Sequence, residues 1–443
     1  MTTRLDARGL PMTAASDAEL ASVDWFTARL ARIDRGAEAI LEDAKTFPGS
    51  PMVQLGAAAF CLFGQIGASD KAAASYLSAA KPLLASATPR EALLHHALAL
   101  WADKDHLGAV AALEEMTQRW PRDLLAAKIA EFLYYVLGQQ QEGPRFRAHM
   151  ARLADANADD PDFLATYAFA HELCGDVDAA RRTVERALAI EPRNPWAHHC
   201  VAHIYLRRDE RHQGVEILEG FLPVWMSVGR VIHCHNAWHL GVAHVAELNR
   251  ARALEILASH VWGITPELVV EQADAIALLW RIEMAGAAGD SRKDDVWAAL
   301  ADRAETHIED RYMPFLDAHF AFALARTGRA AALENLLARV RARAAQGDAE
   351  AARSWAPVGS ALTQACAAYA QGDAPRCAAL LDPVIAHVTL VGGSDAQVDL
   401  FRQTYFCALL ESGRKAEARA YWAAMTEAKT LSPLDRRWFG LAR

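Results

Sequence analysis

Pro161 and Pro195 stand 34 residues apart, and the stretch between them is laid out as a two-helix hairpin. Tyr167 sits in a first amphipathic segment, Gly175-Asp176 interrupts the pattern, Ala180, Ala187 and Leu188 recur in a second, and Pro192 closes the unit. Each residue type has a physical task. Small residues let two antiparallel helices approach, glycine turns the chain, and proline opens the next helix where no amide donor is needed. A hairpin of this kind buries its apolar face only against a neighbouring hairpin, so it demands an array.

Looser copies precede the clear one. Pro51, Pro89 and Pro121 follow at spacings of 38, 32 and 40 residues up to Pro161, each read as ending one helix and starting another. This is the layout of a tetratricopeptide unit, clearest over 89–230, with divergent helical hairpins over 231–443. The later helices include "DAIALLWRIEMAG" and "FRQTYFCALLESGRKAEARAYWAAM", punctuated by Gly-containing turns. The chain is rich in Ala and Leu, 53% apolar and 23% charged, with no linker or low-complexity segment. The reading is an all-α, tetratricopeptide-like α-α superhelix, one continuous solenoid over 1–443, with room to curl around a central pocket.

Charge narrows the partners. The formal net charge is -9, and acidic and basic residues alternate without a Lys/Arg stripe that would neutralise a phosphate backbone, so no nucleic acid partner is expected. Met1 to Leu20 carries Asp6, Asp17 and Glu19 rather than an apolar signal-peptide core, and no later stretch is long and uncharged enough to span a bilayer. These readings predict a cytoplasmic protein with no membrane partner. Seven cysteines without a CxxC pair are expected to be free thiols. Twelve tryptophans require a deep core or a ligand-facing groove.

Histidine is the chemical anomaly, because nine of seventeen lie between His198 and His260. His199 with His203 in "WAHHCVAH", and His235 with His239 in "HCHNAWHL", each have a four-residue step that puts two imidazoles on one helix face. The two helices are read as first helices of successive hairpins, which predicts that the pairs face each other. Four imidazoles are more than the three protein ligands of a typical catalytic zinc site, so His199, His203, His235 and His239 form a candidate metal set. No cofactor is required by the sequence, zinc is the one considered, and no HExxH glutamate is present. Acid/base or binding roles, and histidines satisfied within a polar core, are the alternatives.

Other polar residues sit inside apolar helical runs. Glu172 in "AFAHELCG", Asn236 and Trp238 within the second histidine motif, and Asp274 with Arg281 in "DAIALLWRIE" are costly to bury without partners. A carboxylate beside an imidazole fixes its tautomer, whereas the plainer reading of Glu172 and Asp274 is a cap or an interhelix hydrogen bond. In "GGSDAQVDLF", Gly392-Gly393 reads as a tight turn and Ser394 as the N-cap of a helix beginning near Asp395, whose free amides are able to hold a carboxylate or phosphate. Cys200 and Cys234 abut histidines but point about 100° away from them on a helix. No Walker loop, GxGxxG, GxSxG or paired CxxC occurs.

At "REALLHHALALW", "AFAHELCGD", "RALAIEPRNPWAHHCVAH", "HCHNAWHLGVAH", "DAIALLWRIEMAG", "FLDAHFAFAL" and "GGSDAQVDLF" the chain resembles the tetratricopeptide repeat protein 38 family, in order from about Pro89 to Phe401. The resemblance implies a helical-repeat fold and adds Trp280, Asp317, His319 and Gln397 to a pattern that includes His199, His203, His235, Asn236, Trp238, His239, Arg281 and Ser394. It implies no activity. Members of the family carry two successive acidic residues where this chain has Glu172-Leu173, a Glu at Leu206 and a His at Asp395.

Two functions follow as expectations. In the first, a His/Trp-rich inner face binds a small organic molecule and acts on it by hydrolase- or lyase-type acid/base chemistry. Its catalytic candidates are His199, His235, His239 and Glu172, and its binding candidates are His203, Asn236, Trp238, Asp274, Trp280, Arg281, His319, Ser394 and Gln397, with Arg281 holding an anionic substrate. In the second, a non-catalytic scaffold grips a peptide or partner protein in its groove.

Overall fold

The protein is described here by a computed structural model, in which residues 2–207, 210–286, 292–427 and 430–443 are the described ones. They divide into two compact units, Met1–Val201 with Met226–Ile232, and Ala202–Trp225 with His233–Arg443. Both units consist of antiparallel helix pairs, as the repeat requires.

In the first unit the pairs are Pro51–Leu62 with Gly67–Ala80, Pro89–Ala102 with His106–Arg119, Leu124–Val136 with Gln139–Leu153, and Pro161–Leu173 with Val177–Ile190. Proline occupies the first turn of the helices that begin at 51, 89 and 161, where its missing amide costs nothing. Pro121 departs from that pattern: its helix starts at Leu124, capped by the Asp123 carboxylate on the Ala126 amide. Gly175 has φ +77°, the left-handed turn the repeat needs, and Asp176 caps the helix that follows.

An element the sequence reading missed is a short antiparallel hairpin, Thr2–Leu5 paired with Pro11–Ala14. It is tied to the helices by charge. Arg90, buried, donates to Asp123 at 2.7 Å and to Asp6 at 3.1 Å, while Glu91 accepts from the amide and hydroxyl of Thr13 at 3.1 and 2.7 Å. Such a doubly compensated arginine stabilises only because both carboxylates meet it.

The second unit is built around Val269–Met284, Pro314–Arg326, Ser360–Ala370 and Asp395–Glu411. Trp280 stacks on Phe322 at 3.7 Å, and Trp297 packs against the same ring at 5.4 Å. Phe406, Trp422 and Trp438 form a second aromatic cluster. Six of the tryptophans, Trp101, Trp225, Trp238, Trp280, Trp297 and Trp355, are essentially fully buried, so the core absorbs much of the indole content.

The entry to the Val269–Met284 helix is held by one buried carboxylate. Glu271 accepts from the amides of Gly263 at 2.7 Å, Ile264 at 3.0 Å and Thr265 at 3.0 Å, and Gly263 supplies the left-handed turn at φ +89°. That loop fixes the register of the helix carrying Asp274 and Arg281. All seven cysteines are free thiols. Among the described residues no single helix is long and apolar enough to cross a membrane, and Ala374–Leu381 with Ile385–Val391 reach that length only together across a 79° bend.

Candidate functional site

Three helices of the second unit present polar groups at helical spacing. On Arg230–Ala246, His235, Trp238 and His239 fall at steps of three and four and share one face. On Val269–Met284, Asp274 and Arg281 are two turns apart on one stripe, and on Pro314–Arg326, Phe315, His319 and Phe322 do the same. Trp238, His239, Asp274, Arg281 and His319 are all at most 2% exposed.

His235 Nδ1 lies 2.9 Å from Asp274 Oδ2, the carboxylate-imidazole pair that fixes a tautomer with the proton on Nδ1. The imidazole stacks on Trp238 at 5.3 Å with planes 10° apart. Cys234 donates its thiol to Val261 O at 3.4 Å and reaches the same Asp274 oxygen at 3.9 Å, so it is a minor donor to that carboxylate. His239 stands edge-on to His235 at 4.8 Å, to Trp238 at 4.7 Å and to His203 at 4.6 Å. His203 in turn lies 3.4 Å through Nδ1 from Asp395 Oδ1. The histidine pairs of two helices therefore do meet, through His203 and His239.

Arg281 is the charged member. Its guanidinium sits 5.3 Å over the Trp238 ring and donates to Ala396 O at 2.8 Å and Ala277 O at 3.4 Å, with no carboxylate in salt-bridge contact among the described residues. Burial pulls its pKa down to about 10, opposed by the more distant Asp399 and Asp274. His319 donates Nδ1–H to Phe315 O at 2.8 Å, and burial first, then the Arg281 charge, lower its pKa to about 4 against the raising effect of that hydrogen bond. The ring is neutral at pH 7, with Nε2 as an acceptor.

Four buried polar atoms of this cluster have no hydrogen-bond partner among the described residues: Trp238 Nε1, Trp280 Nε1, Arg281 Nε and His319 Nε2. A folded chain leaves such atoms bare rarely, and these four on three adjoining helices make the cluster a candidate ligand site. Asp317 is also buried, and burial raises its pKa well above the carboxylate range, but it lies two residues from His319 and so on another face. Asn236 is buried on the same helix as the His235 pair.

Ser394 and Gln397 turn out to hold each other. Ser394 Oγ accepts from the Gln397 amide at 3.3 Å, Gln397 Oε1 accepts from the Ser394 amide at 3.0 Å, and the Ala396 amide is taken by Asp395 Oδ1 at 2.8 Å. The amides read as open to an anion are thus already engaged in a capping box. The same helix start supplies Ala396 O to Arg281, so its contribution to the cluster is positional.

Glu172 and His199 belong to the first unit. His199 stacks on Trp196 at 4.4 Å and packs on Phe169 at 5.0 Å, and Glu172, fully buried, helps raise the Cys200 thiol pKa after burial itself. Trp196 also carries Lys128 Nζ 3.6 Å over its ring, with Glu131 2.9 Å from that ammonium and Gln139 donating to Glu131 at 3.3 Å. Sequence reasoning passed over Lys128 and Glu131. Their signal was available: two charges three residues apart inside the apolar run "LLAAKIAEFLYYV". The proposed zinc set draws on both units, and the second contributes His203, His235 and His239 to it.

Residues 161–204 match a family model described as tetratricopeptide repeat, the span in which the sequence repeat is cleanest. Two solved structures are similar over 97% of this chain and 95% of their own, each with a TM-score of 0.43: a human IFIT1 dimer with PPP-AAAA at 13% identity, and a human IFIT1 dimer with m7Gppp-AAAA at 14%. The fold class is the expected one, all-α and tetratricopeptide-like. The expectation that nucleic acid is no partner is corrected by these structures, since the proteins this chain is similar to are seen with PPP-AAAA and m7Gppp-AAAA. A net charge of -9 averages over a whole surface, whereas a phosphate chain meets only the residues of its own site, so the net value excludes nothing. At that TM-score the likeness assigns no ligand to this chain.

Proposed function

We propose that this tetratricopeptide-like protein binds a small organic molecule in its second unit and acts on it by acid/base chemistry of hydrolase or lyase type. The observation that carries the reading is the part-buried His235 imidazole, 2.9 Å from the buried Asp274 carboxylate, stacked on Trp238 and adjoining an arginine that has no carboxylate in salt-bridge contact among the described residues. With its proton on Nδ1 and Asp274 behind it, His235 takes a proton at Nε2, and Asp274 stabilises the imidazolium that forms. Arg281 fixes an anionic group of the substrate, and Trp238 supplies a flat wall for its apolar part. A groove for an extended peptide has no comparable need of an imidazole oriented by a buried carboxylate. The ordered motifs from Pro89 to Phe401 support membership of the tetratricopeptide repeat protein 38 family, and the free thiols are consistent with a reducing, cytoplasmic compartment.

The reading is tested by thermal unfolding of the full chain against a library of organic acids, amides and esters. The expected result is at least one compound that raises the Tm of the wild type, with the shift lost in Trp238→Ala, and whose turnover is lost in Asp274→Asn while binding remains. A library without any stabiliser overturns it. Elemental analysis of the same preparation addresses the metal alternative: stoichiometric zinc that disappears from a His203→Ala, His239→Ala double variant makes those rings ligands rather than proton carriers.

A further inference from the structure

Four of the second unit's buried polar atoms without a hydrogen-bond partner among the described residues gather around Arg281, and they have a definite donor and acceptor count. Trp238 Nε1, Trp280 Nε1 and Arg281 Nε are donors, and one of them belongs to a cation. His319 Nε2 is an acceptor, because Nδ1 has already given its proton to Phe315 O. Trp280 and His319 lie 6.4 Å apart by ring centroid, and Arg281 and Trp238 lie 5.3 Å apart. Around them stand Phe315, Phe322 and Phe401, apolar rings with nothing to offer a polar substituent.

Resting on the reading of this unit as a small-molecule site, we infer that its ligand is a carboxylate bearing a neighbouring hydroxyl on an apolar body, a 2-hydroxy acid in chemical class. The carboxylate oxygens accept from Arg281 and the two indoles, and the hydroxyl donates to His319 Nε2. Three alternatives fit less well. A phosphate dianion would face a single cation with Asp274 and Asp399 close enough to act on it electrostatically. An ammonium group at the His319 position would be repelled by Arg281, the same charge that opposes protonation of that ring. A neutral amide leaves a buried guanidinium with no carboxylate in salt-bridge contact among the described residues, Asp399 and Asp274 acting only from farther away.

Isothermal titration calorimetry at pH 7 with three probes of one shape separates these terms: mandelate, phenylacetate without the hydroxyl, and mandelamide without the charge. The wild type is expected to bind mandelate, with phenylacetate and mandelamide each at least about tenfold weaker, since a site that hydrogen-bonds a group rejects the analogue lacking it. His319→Phe is expected to bring mandelate and phenylacetate within about twofold of each other, and His319→Gln, which keeps an acceptor, to restore part of the difference. Circular dichroism and the Tm of both variants verify that they fold. Equal binding of mandelate and phenylacetate by the wild type overturns the class, as does preference for mandelamide. If no probe binds but another compound gives a Trp238-dependent Tm shift, the class fails and the site stands; if no organic compound does, both fail.

Discussion

Each unit buries an arginine to about 2% exposure, and the two are treated in opposite ways. Arg90 in the first unit is met by Asp123 at 2.7 Å and Asp6 at 3.1 Å, and although burial opposes its charge, the two carboxylates raise its pKa. Arg281 in the second has two backbone carbonyls, no carboxylate in salt-bridge contact among the described residues, and a pKa lowered to about 10 by burial. One cation closes a structure; the other meets carboxylates only from beyond salt-bridge distance among the described residues. The same contrast extends to indoles of one unit, since Trp297 Nε1 donates to Glu283 at 2.9 Å whereas Trp280 Nε1 has no such partner. Similar helix pairs thus serve as scaffold around Arg90, whose carboxylates meet it, and as a candidate site around Arg281, where Trp238 Nε1, Trp280 Nε1 and His319 Nε2 have no hydrogen-bond partner among the described residues.

The largest expected effect separates the arginines. Arg90→Met strands two buried carboxylates and is expected to destabilise by about 3–5 kcal/mol in urea unfolding, whereas Arg281→Met removes a desolvated charge and stays within about 1 kcal/mol of the wild type. Equal losses would break the comparison.

Acid comes next. Burial depresses His149 and His198 of the first unit and His319 of the second, each to about 4. The unfolded chain binds more protons than the folded one between its own value near 6.5 and 4, so the stability these rings contribute is full above about 6.5 and is lost as pH falls through that window. Each is expected to account for roughly 2 kcal/mol between pH 7 and pH 5. His319→Phe should flatten the urea-midpoint profile by one such share, and a profile unchanged by that substitution would mean that the ring is not held neutral.

The smallest effect sharpens the indole contrast. Trp297→Phe forfeits a hydrogen bond and Trp238→Phe forfeits none in the ligand-free protein, so the first is expected to be the more destabilising by about 1 kcal/mol. The reverse order would place the incomplete polar group elsewhere.

Local features of the fold were legible in the sequence. Pro161, Gly175 and Pro195 marked a hairpin because proline and glycine act within one turn of where they stand, and Ser394 declared itself an N-cap for the same reason. His235 and Asp274 were both singled out as costly to bury, but their pairing spans 39 residues and nothing local encodes it. The Arg90 clamp escaped notice because one partner, Asp6, lies on a hairpin 84 residues away. Lys128 and Glu131 were overlooked although their spacing inside an apolar helix was visible, since the Trp196 ring that receives the ammonium belongs to a later helix. The reading against nucleic acid drew on net charge and on the absence of a Lys/Arg stripe along the sequence, and neither reports which charges the fold gathers at one place.

The central claim is that the polar atoms left incomplete around Arg281, those of Trp238, Trp280 and His319 among them, are completed by a ligand. Indole N–H signals in a proton-nitrogen correlation spectrum, assigned with Trp238→Phe, Trp280→Phe and Trp297→Phe, report on it atom by atom during titration with mandelate. The expected result is that the Trp238 and Trp280 signals move with saturation while Trp297, already bonded to Glu283, stays in place. Signals of Trp238 and Trp280 that do not respond, or a Trp297 signal that moves as far as theirs, would contradict it.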